Sequence, residues 1–297
     1  MKVYKFGGAS VKDAQGIRNL KEIVARSTDD LVIVVSAMGK TTNALERVVN
    51  ALWLRENEQA QREWQIIDEY HHTVCNALNI DVELTIPKSV VSMQSYDELY
   101  DQLVSCGELF STRIVSAYLQ RSGIRNTWLD ATTLLLTDDT FRRARVDFEA
   151  SGKKWRKVTG VKEKEQRSRR VWVTQGFIGG TADGQRTTLG REGSDYSAAI
   201  IANLIGAESV TIWKDVPGIL TADPRKDKTA KLIDELDYSD AERLAQSGAQ
   251  IIHAKTIEPL EEKDIPLYVK PFLRPMARGS VIHRTDKRLT TAVQWGK

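Results

Sequence analysis

The chain has 297 residues, with 43 Lys and Arg against 40 Asp and Glu and a net charge of +3 at pH 7. So near a balance over so large a surface argues against a dedicated nucleic-acid binder, and ordinary apolar and charged content argues against disorder or a coiled coil. No apolar run approaches the roughly 18 residues of a membrane span. Cys75 and Cys106 lie outside any Cys-x-x-Cys spacing and imply neither a disulfide framework nor a zinc site, so a cytoplasmic protein with no membrane partner is expected.

Lys2 to Phe6 reads as a short strand ending at Gly7-Gly8, after which Ser10 and Asp13 precede a helical pattern through Ile17, Leu20, Ile23 and Val24. Leu31 to Val35 reads as a fully buried strand. Strand, glycine turn, helix and strand open a mostly parallel α/β sheet, in which ligands lie at the carboxyl ends of strands. Gly7-Gly8 and Ser36-Ala37-Met38-Gly39 both fall at such ends. Helical composition follows from Asn43 to about Leu78, from Val90 to Val104 with Pro87 marking a start, and from Glu108 to Leu119. The basic run Ser151 to Arg170 reads as a solvated surface hairpin or helix, with an anion-binding patch as the alternative. Strand patterns return at Val171 to Thr174, Glu208 to Trp213 and Leu267 to Val269, and helices at Ser197 to Leu204, Ser239 to Gln246 and Thr256 to Glu262. With no repeat and no linker, one domain of two lobes with a cleft between them is expected.

Gly39-Lys40-Thr41 has the end of a phosphate-binding P-loop, but Val34 stands where that motif needs its first glycine, and no Gly-x-Gly-x-x-Gly occurs. His71, His72, His253 and His283 read as structural or surface residues. What remains is a series of glycine turns: Lys5-Phe6-Gly7-Gly8-Ala9-Ser10, Ser36 to Asn43, Ser105-Cys106-Gly107-Glu108, and Thr188 to Asp195. Glycine lets backbone amides approach an anion closely, and a following helix adds its positive end. Several such turns in one chain suggest a polyphosphate cradle, although each alone also satisfies strand-to-helix geometry.

Together and in this order the turns resemble the amino-acid kinase superfamily, and within it the aspartate kinases. The resemblance is carried by Lys-Phe-Gly-Gly-Ala-Ser-Val, Ser-Ala-Met-Gly-Lys-Thr-Thr-Asn, Ser-Cys-Gly-Glu-Leu-Phe-Ser, Thr174 to Gly179, Gly193 to Tyr196, Asp215 to Ile219 and Thr221 to Arg225. It implies a three-layer αβα sandwich over residues 1–285, with aspartate toward the N-terminal lobe, the nucleotide toward a lobe beginning at about 171, and a tail at 286–297. It implies transfer of the γ-phosphoryl of Mg-ATP to the β-carboxylate of L-aspartate, giving 4-phospho-L-aspartate, the first step of lysine, threonine and methionine biosynthesis. Mg²⁺ is expected to arrive with ATP rather than on protein ligands, and a homodimer is expected.

The resemblance also assigns roles. Lys5 and Asp195 are the catalytic pair; Ser36, Thr42, Glu108, Phe177, Arg191 and Ser194 take the acceptor; Gly7, Gly8, Lys214, Asp215, Leu220, Arg225 and Gln250 fall at nucleotide positions. The chemistry is sensible independently of the family. Aspartate carries an ammonium and an α-carboxylate besides its reacting group, so its site should hold an acid and a guanidinium, for which Glu108 and Arg191 serve.

Three departures from the family pattern stand out. Glu192 replaces a glycine of the family's Gly-Arg-Gly-Gly-Ser-Asp, placing a negative charge beside the carboxylate clamp. Gln250 replaces the lysine of its Gly-Ala-Lys, for which Lys214 or Lys255 would compensate. Regulatory domains that usually follow are not expected in this chain, since Gly279-Ser280-Val281-Ile282 stands where the catalytic domain finishes. The alternatives are a related kinase acting on glutamate, acetylglutamate or uridine monophosphate, and a non-catalytic ligand-binding homologue.

Overall fold

The apolar run Leu31–Val35 is buried at every position because it lies inside an eight-stranded sheet with apolar clusters on both faces. The computed structural model describes residues 1–85, 93, 95–160, 169–222, 227–246 and 252–286. The elements are β1 (Lys2–Phe6), α1 (Ala14–Ala25), β2 (Leu31–Val35), α2 (Thr41–Trp53), α3 (Asn57–Leu78), α4 (Tyr96–Val104), α5 (Cys106–Arg121), β3 (Thr127–Leu129), α6 (Ala131–Leu134) and α7 (Phe148–Gly160). They continue as β4 (Val171–Gln175), β5 (Ile178–Gly180), β6 (Arg186–Thr188), α8 (Gly193–Ile205), β7 (Ser209–Lys214), β8 (Ile219–Leu220) and β9 (Leu232–Ile233). The last are β10 (Glu235–Leu236), α9 (Tyr238–Gln246), α10 (Ala254–Glu262), β11 (Leu267–Pro271) and β12 (Ser280–Ile282).

The sheet runs β10-β12-β11-β7-β1-β2-β4-β3. Every neighbouring pair is parallel except β11 with β12. One face packs Val3, Val34, Ile212 and Val269 against α7, α8, α9 and α10; the other packs Phe6, Ile33, Val173 and Trp213 against α1, α3 and α5. This is the expected three-layer αβα sandwich. A further helical cluster of α2, α3 and α4, with Leu45, Val48, Ile67, Leu99 and Leu103, also takes Phe110 of α5.

The strand period of two decides what reaches the cleft. On β1, Val3 and Lys5 share the face that α8 covers, while Tyr4 and Phe6 take the other. Helix α1 starts where expected: Asp13 Oδ1 accepts the N–H of Gly16 at 2.7 Å, a cap contributing about 1 kcal/mol. The helix expected from Val90 falls partly, with Pro87, outside the described residues. Within them it begins at Tyr96, where the Ser95 hydroxyl accepts the N–H of Glu98.

The basic run proves more than a solvated surface in its first half. Helix α7 buries Ser151, Gly152, Trp155 and Thr159 along one stripe, with Trp155 fully inside the core, and leaves Lys153, Lys154 and Lys157 outside. Residues 161–168 lie outside the described residues. The histidines have structural settings: His71 is buried against the Tyr70 and Phe110 rings, His72 bonds within α3, His253 caps α10, and His283 pairs with Glu235.

Candidate active site

A cleft of about 690 Å³ opens at the carboxyl ends of β1 and β2. Lys5, Ser36, Thr42, Glu108, Phe177, Arg191, Ser194 and Asp195 all line it. Segments far apart in sequence therefore meet where the glycine turns predicted.

Two of those turns are joined backbone to backbone. Gly39 N–H donates to Gly8 O at 3.0 Å, and a Cβ on Gly8 would stand 2.5 Å from Ala37 O, so only glycine permits this approach. Gly7 lies beside the Lys5 ammonium, 3.4 Å from where its own Cβ would be.

Lys5 and Lys214 come from adjacent parallel strands and share the α8 face of the sheet. Their ammonium groups converge on Asp195 in the first turn of α8, at 2.5 Å from Oδ1 and 3.1 Å from Oδ2. Asp195 is 1% exposed, and its carboxylate oxygens have no other hydrogen-bond partner among the described residues. Burial alone would raise its pKa, but the two ammonium groups, Lys5 foremost, hold it below the ordinary carboxylate value. Two cations are thus held on one fixed anion, and of the three groups Lys5 and Asp195 line the cleft.

Glu108 sits in the first turn of α5, where the helix dipole favours an acid. Its Oε1 accepts the N–H of Ala37 at 3.0 Å, while its buried Oε2 has no partner among the described residues. Burial pushes its pKa up to about 8, against the lowering effect of the Ala37 N–H and the Lys5 charge. An orphaned buried carboxylate oxygen is costly unless a donor arrives, and a ligand ammonium is such a donor.

Arg191 and Glu192 are exposed at the rim. Glu192, where the family pattern has glycine, holds a left-handed backbone at φ 55° immediately before α8. Phe177 is also left-handed, at φ 69°, and its N–H donates to Ser197 Oγ on α8 at 2.8 Å. A Cβ on Gly193 would stand 2.6 Å from the Phe177 ring, so this turn and the start of α8 are closely fitted.

The nucleotide positions are less gathered. Gly7 lies beside Lys5 and Lys214 bonds Asp195, while Gly8 packs on Ala37 and Gly39 of the neighbouring turn. Asp215 is exposed just beyond β7, and Leu220 is buried in the β8–β9 hairpin, neither lining the cleft. Arg225 and Gln250 lie outside the described residues. Lys255, a possible substitute for the missing lysine, is exposed on the first turn of α10. Among the described residues no three His, Cys, Asp or Glu side chains stand together as metal ligands.

Sequence reading passed over one wall of the cleft: Asp97, Tyr100, Phe141, Arg142 and Arg143. The Arg142 guanidinium lies 4.4 Å over the Tyr100 ring and 3.2 Å from Asp97. The only hint in sequence is an acid, Asp101, set among the apolar Leu99, Tyr100, Leu103 and Val104, which α4 proves to bury.

The sequence profile of the amino acid kinase family matches residues 1–271. The chain belongs to the amino acid kinase family. Among family relatives it is similar to lysine-sensitive aspartokinase 3 of Escherichia coli, at 32% identity over 94% of this chain and 63% of that protein. It is also similar to chloroplastic aspartokinase 1 of Arabidopsis thaliana, at 34% identity over 95% of this chain and 52% of that one. The chain therefore spans between half and two thirds of the length of these relatives. Among solved structures, E. coli aspartokinase III in complex with aspartate and ADP superimposes with a TM-score of 0.84 at 30% identity, covering 97% of this chain and 65% of that one. UMP kinase from Ureaplasma parvum, at 14% identity and a TM-score of 0.55, shares the fold. No helix among the described residues is long and apolar enough to cross a membrane.

Proposed function

We propose that this amino acid kinase is an aspartate kinase, a phosphotransferase that moves the γ-phosphoryl of Mg-ATP to the β-carboxylate of L-aspartate. The observation that carries the reading is that one cleft is lined by Glu108, with a buried oxygen that has no partner among the described residues, by Arg191, and by the Lys5–Asp195 pair, whose acid Lys214 holds from its other oxygen. Similarity to aspartokinases over 94% of the chain supports the choice of acceptor.

A carboxylate acceptor is already ionised near neutral pH, so no general base has to deprotonate it. The task left to the protein is to position two anions and neutralise the charge between them. In this reading Glu108 takes the ammonium of aspartate and Arg191 its α-carboxylate through two parallel N–H···O bonds. Ser36, Thr42, Phe177 and Ser194 complete the acceptor's surroundings. The β-carboxylate then points toward Lys5, whose ammonium Asp195 holds in place and which neutralises charge on the transferring oxygens. Gly7, Gly8 and Lys214 serve the phosphates, Asp215, Leu220, Arg225 and Gln250 the rest of the nucleotide, and Mg²⁺ arrives as part of the Mg-ATP substrate. The product is 4-phospho-L-aspartate, an acyl phosphate, and the cellular role is entry into lysine, threonine and methionine synthesis. A cytoplasmic homodimer that binds neither nucleic acid nor membrane is part of the same proposal, as is the division into an acceptor lobe and, from about 171, a nucleotide lobe.

The test is ADP release from Mg-ATP with L-aspartate, L-glutamate, N-acetylglutamate or uridine monophosphate as acceptor. L-Aspartate should be preferred; a difference of one methylene limits discrimination against glutamate to about 1–3 kcal/mol. Preference for another acceptor would keep the fold and chemistry but reject the substrate.

A further inference from the structure

Asp101 is a fully buried carboxylate on α4, outside the set of residues that face the acceptor directly. Its Oδ2 accepts the backbone N–H groups of Thr188 at 2.7 Å and Arg142 at 2.9 Å, and its Oδ1 accepts the Thr188 hydroxyl at 2.7 Å. Thr188 ends β6 and leads through Gly190, at φ 79°, to Arg191. Arg142 is itself left-handed, at φ 65°, between Phe141 and Arg143. A Cβ on Gly190 would stand 3.2 Å from Arg142 O, so the turn carrying Arg191 rests on the backbone of the loop carrying Arg143.

Three segments of the cleft wall, α4, the 141–143 loop and the turn after β6, therefore meet on one carboxylate. Burying a carboxylate is expensive, and three donors offset the cost only while all three stay in place. Burial pushes its pKa up to about 6 in spite of those donors. Such a group contributes fixed geometry more than stability.

We propose that Asp101 is a positioning residue of the acceptor pocket, holding Thr188 and Arg142 so that the guanidinium groups of Arg191 and Arg143 stand fixed around an acidic acceptor. This rests on the reading of the cleft as an aspartate site.

The experiment compares the wild type with Asp101→Asn and Thr188→Val. An amide at 101 would present an NH2 where the Thr188 hydroxyl now donates and would remove the charge that strengthens the two backbone hydrogen bonds, whereas valine at 188 removes one hydroxyl while keeping shape and backbone. Asp101→Asn should raise the KM for L-aspartate about tenfold or more, with KM for ATP unchanged and kcat changed far less. Thr188→Val should shift the same constant in the same direction by less, and it carries the test if Asp101→Asn does not fold. Unchanged constants, or a fall in kcat with both Michaelis constants moved alike, would overturn the proposal. If the wild type does not turn over aspartate at all, the functional reading fails and hydrogen exchange decides the role of Asp101. Faster exchange confined to residues 139–143 and 187–191 in Thr188→Val supports it, and unchanged exchange there overturns it.

Discussion

The Lys5 ammonium and the Asp195 carboxylate meet at 2.5 Å, one from the end of the first strand and the other from the first turn of α8, and both are buried. A lysine so held loses little freedom on meeting a phosphate, which is how a fixed cation acts on developing charge. Lys5→Ala should lower kcat by about 100-fold or more while the KM for aspartate changes little. Steady-state kinetics check this, and unchanged turnover would remove Lys5 from the chemistry.

Glu108 makes a pH prediction whose sign follows from burial. Its carboxyl is pushed up to about 8 from an ordinary 4.5, so across that window the folded, ligand-free chain keeps a proton that the unfolded chain gives up. This group therefore withdraws stability as pH rises from the unfolded value through the folded one. A ligand ammonium needs the ionised form, so binding releases a proton and L-aspartate should bind more tightly as pH rises toward 8. Calorimetric titration at several pH values should show that slope, and Glu108→Gln should weaken binding and flatten it.

How much of this was legible in the sequence depends on the residue. Lys5, Ser36, Glu108, Arg191 and Asp195 sit in or beside glycine turns at the ends of strands and helices, and glycine turns leave a mark in sequence because few other residues fit them. Asp101, Arg142 and Arg143 carry no such mark: their contribution comes from long-range hydrogen bonds between α4, a loop and β6. Of the parallel strands, β2 was readable as an apolar run and β1, β4, β7 and β11 as short strand patterns. The pairs β5–β6 and β8–β9 were not, since two or three residues show no period. The basic run was read by its charge, which hid the Ser151, Trp155 and Thr159 stripe at helical spacing.

Glu192 occupies a left-handed position that costs an ordinary side chain about 1 kcal/mol, and it brings a negative charge to the rim that holds Arg191. Glu192→Gly should raise stability by less than about 1 kcal/mol, because glycine's own chain entropy offsets part of the relief. It should also lower the Kd for L-aspartate several-fold. Thermal melts and calorimetry read the two effects separately.

Gly8→Ala should do the reverse. Its new methyl would stand 2.5 Å from the carbonyl of Ala37, and forcing the two turns apart should cost about 1–3 kcal/mol. Turnover should fall with it, because the same turns carry Lys5 and Ser36. A variant with unchanged melting temperature would mean that the turns are not held together as the Gly39–Gly8 hydrogen bond implies.

If this cleft makes an acyl phosphate from L-aspartate, a strong nucleophile will intercept it. The most direct test incubates the protein with Mg-ATP, L-aspartate and hydroxylamine and identifies the trapped product by mass. Aspartate β-hydroxamate should form in step with ADP release and be almost wholly lost in Lys5→Ala. ADP release without hydroxamate, or hydroxamate formed only from a different acceptor, would mean that L-aspartate is not phosphorylated here.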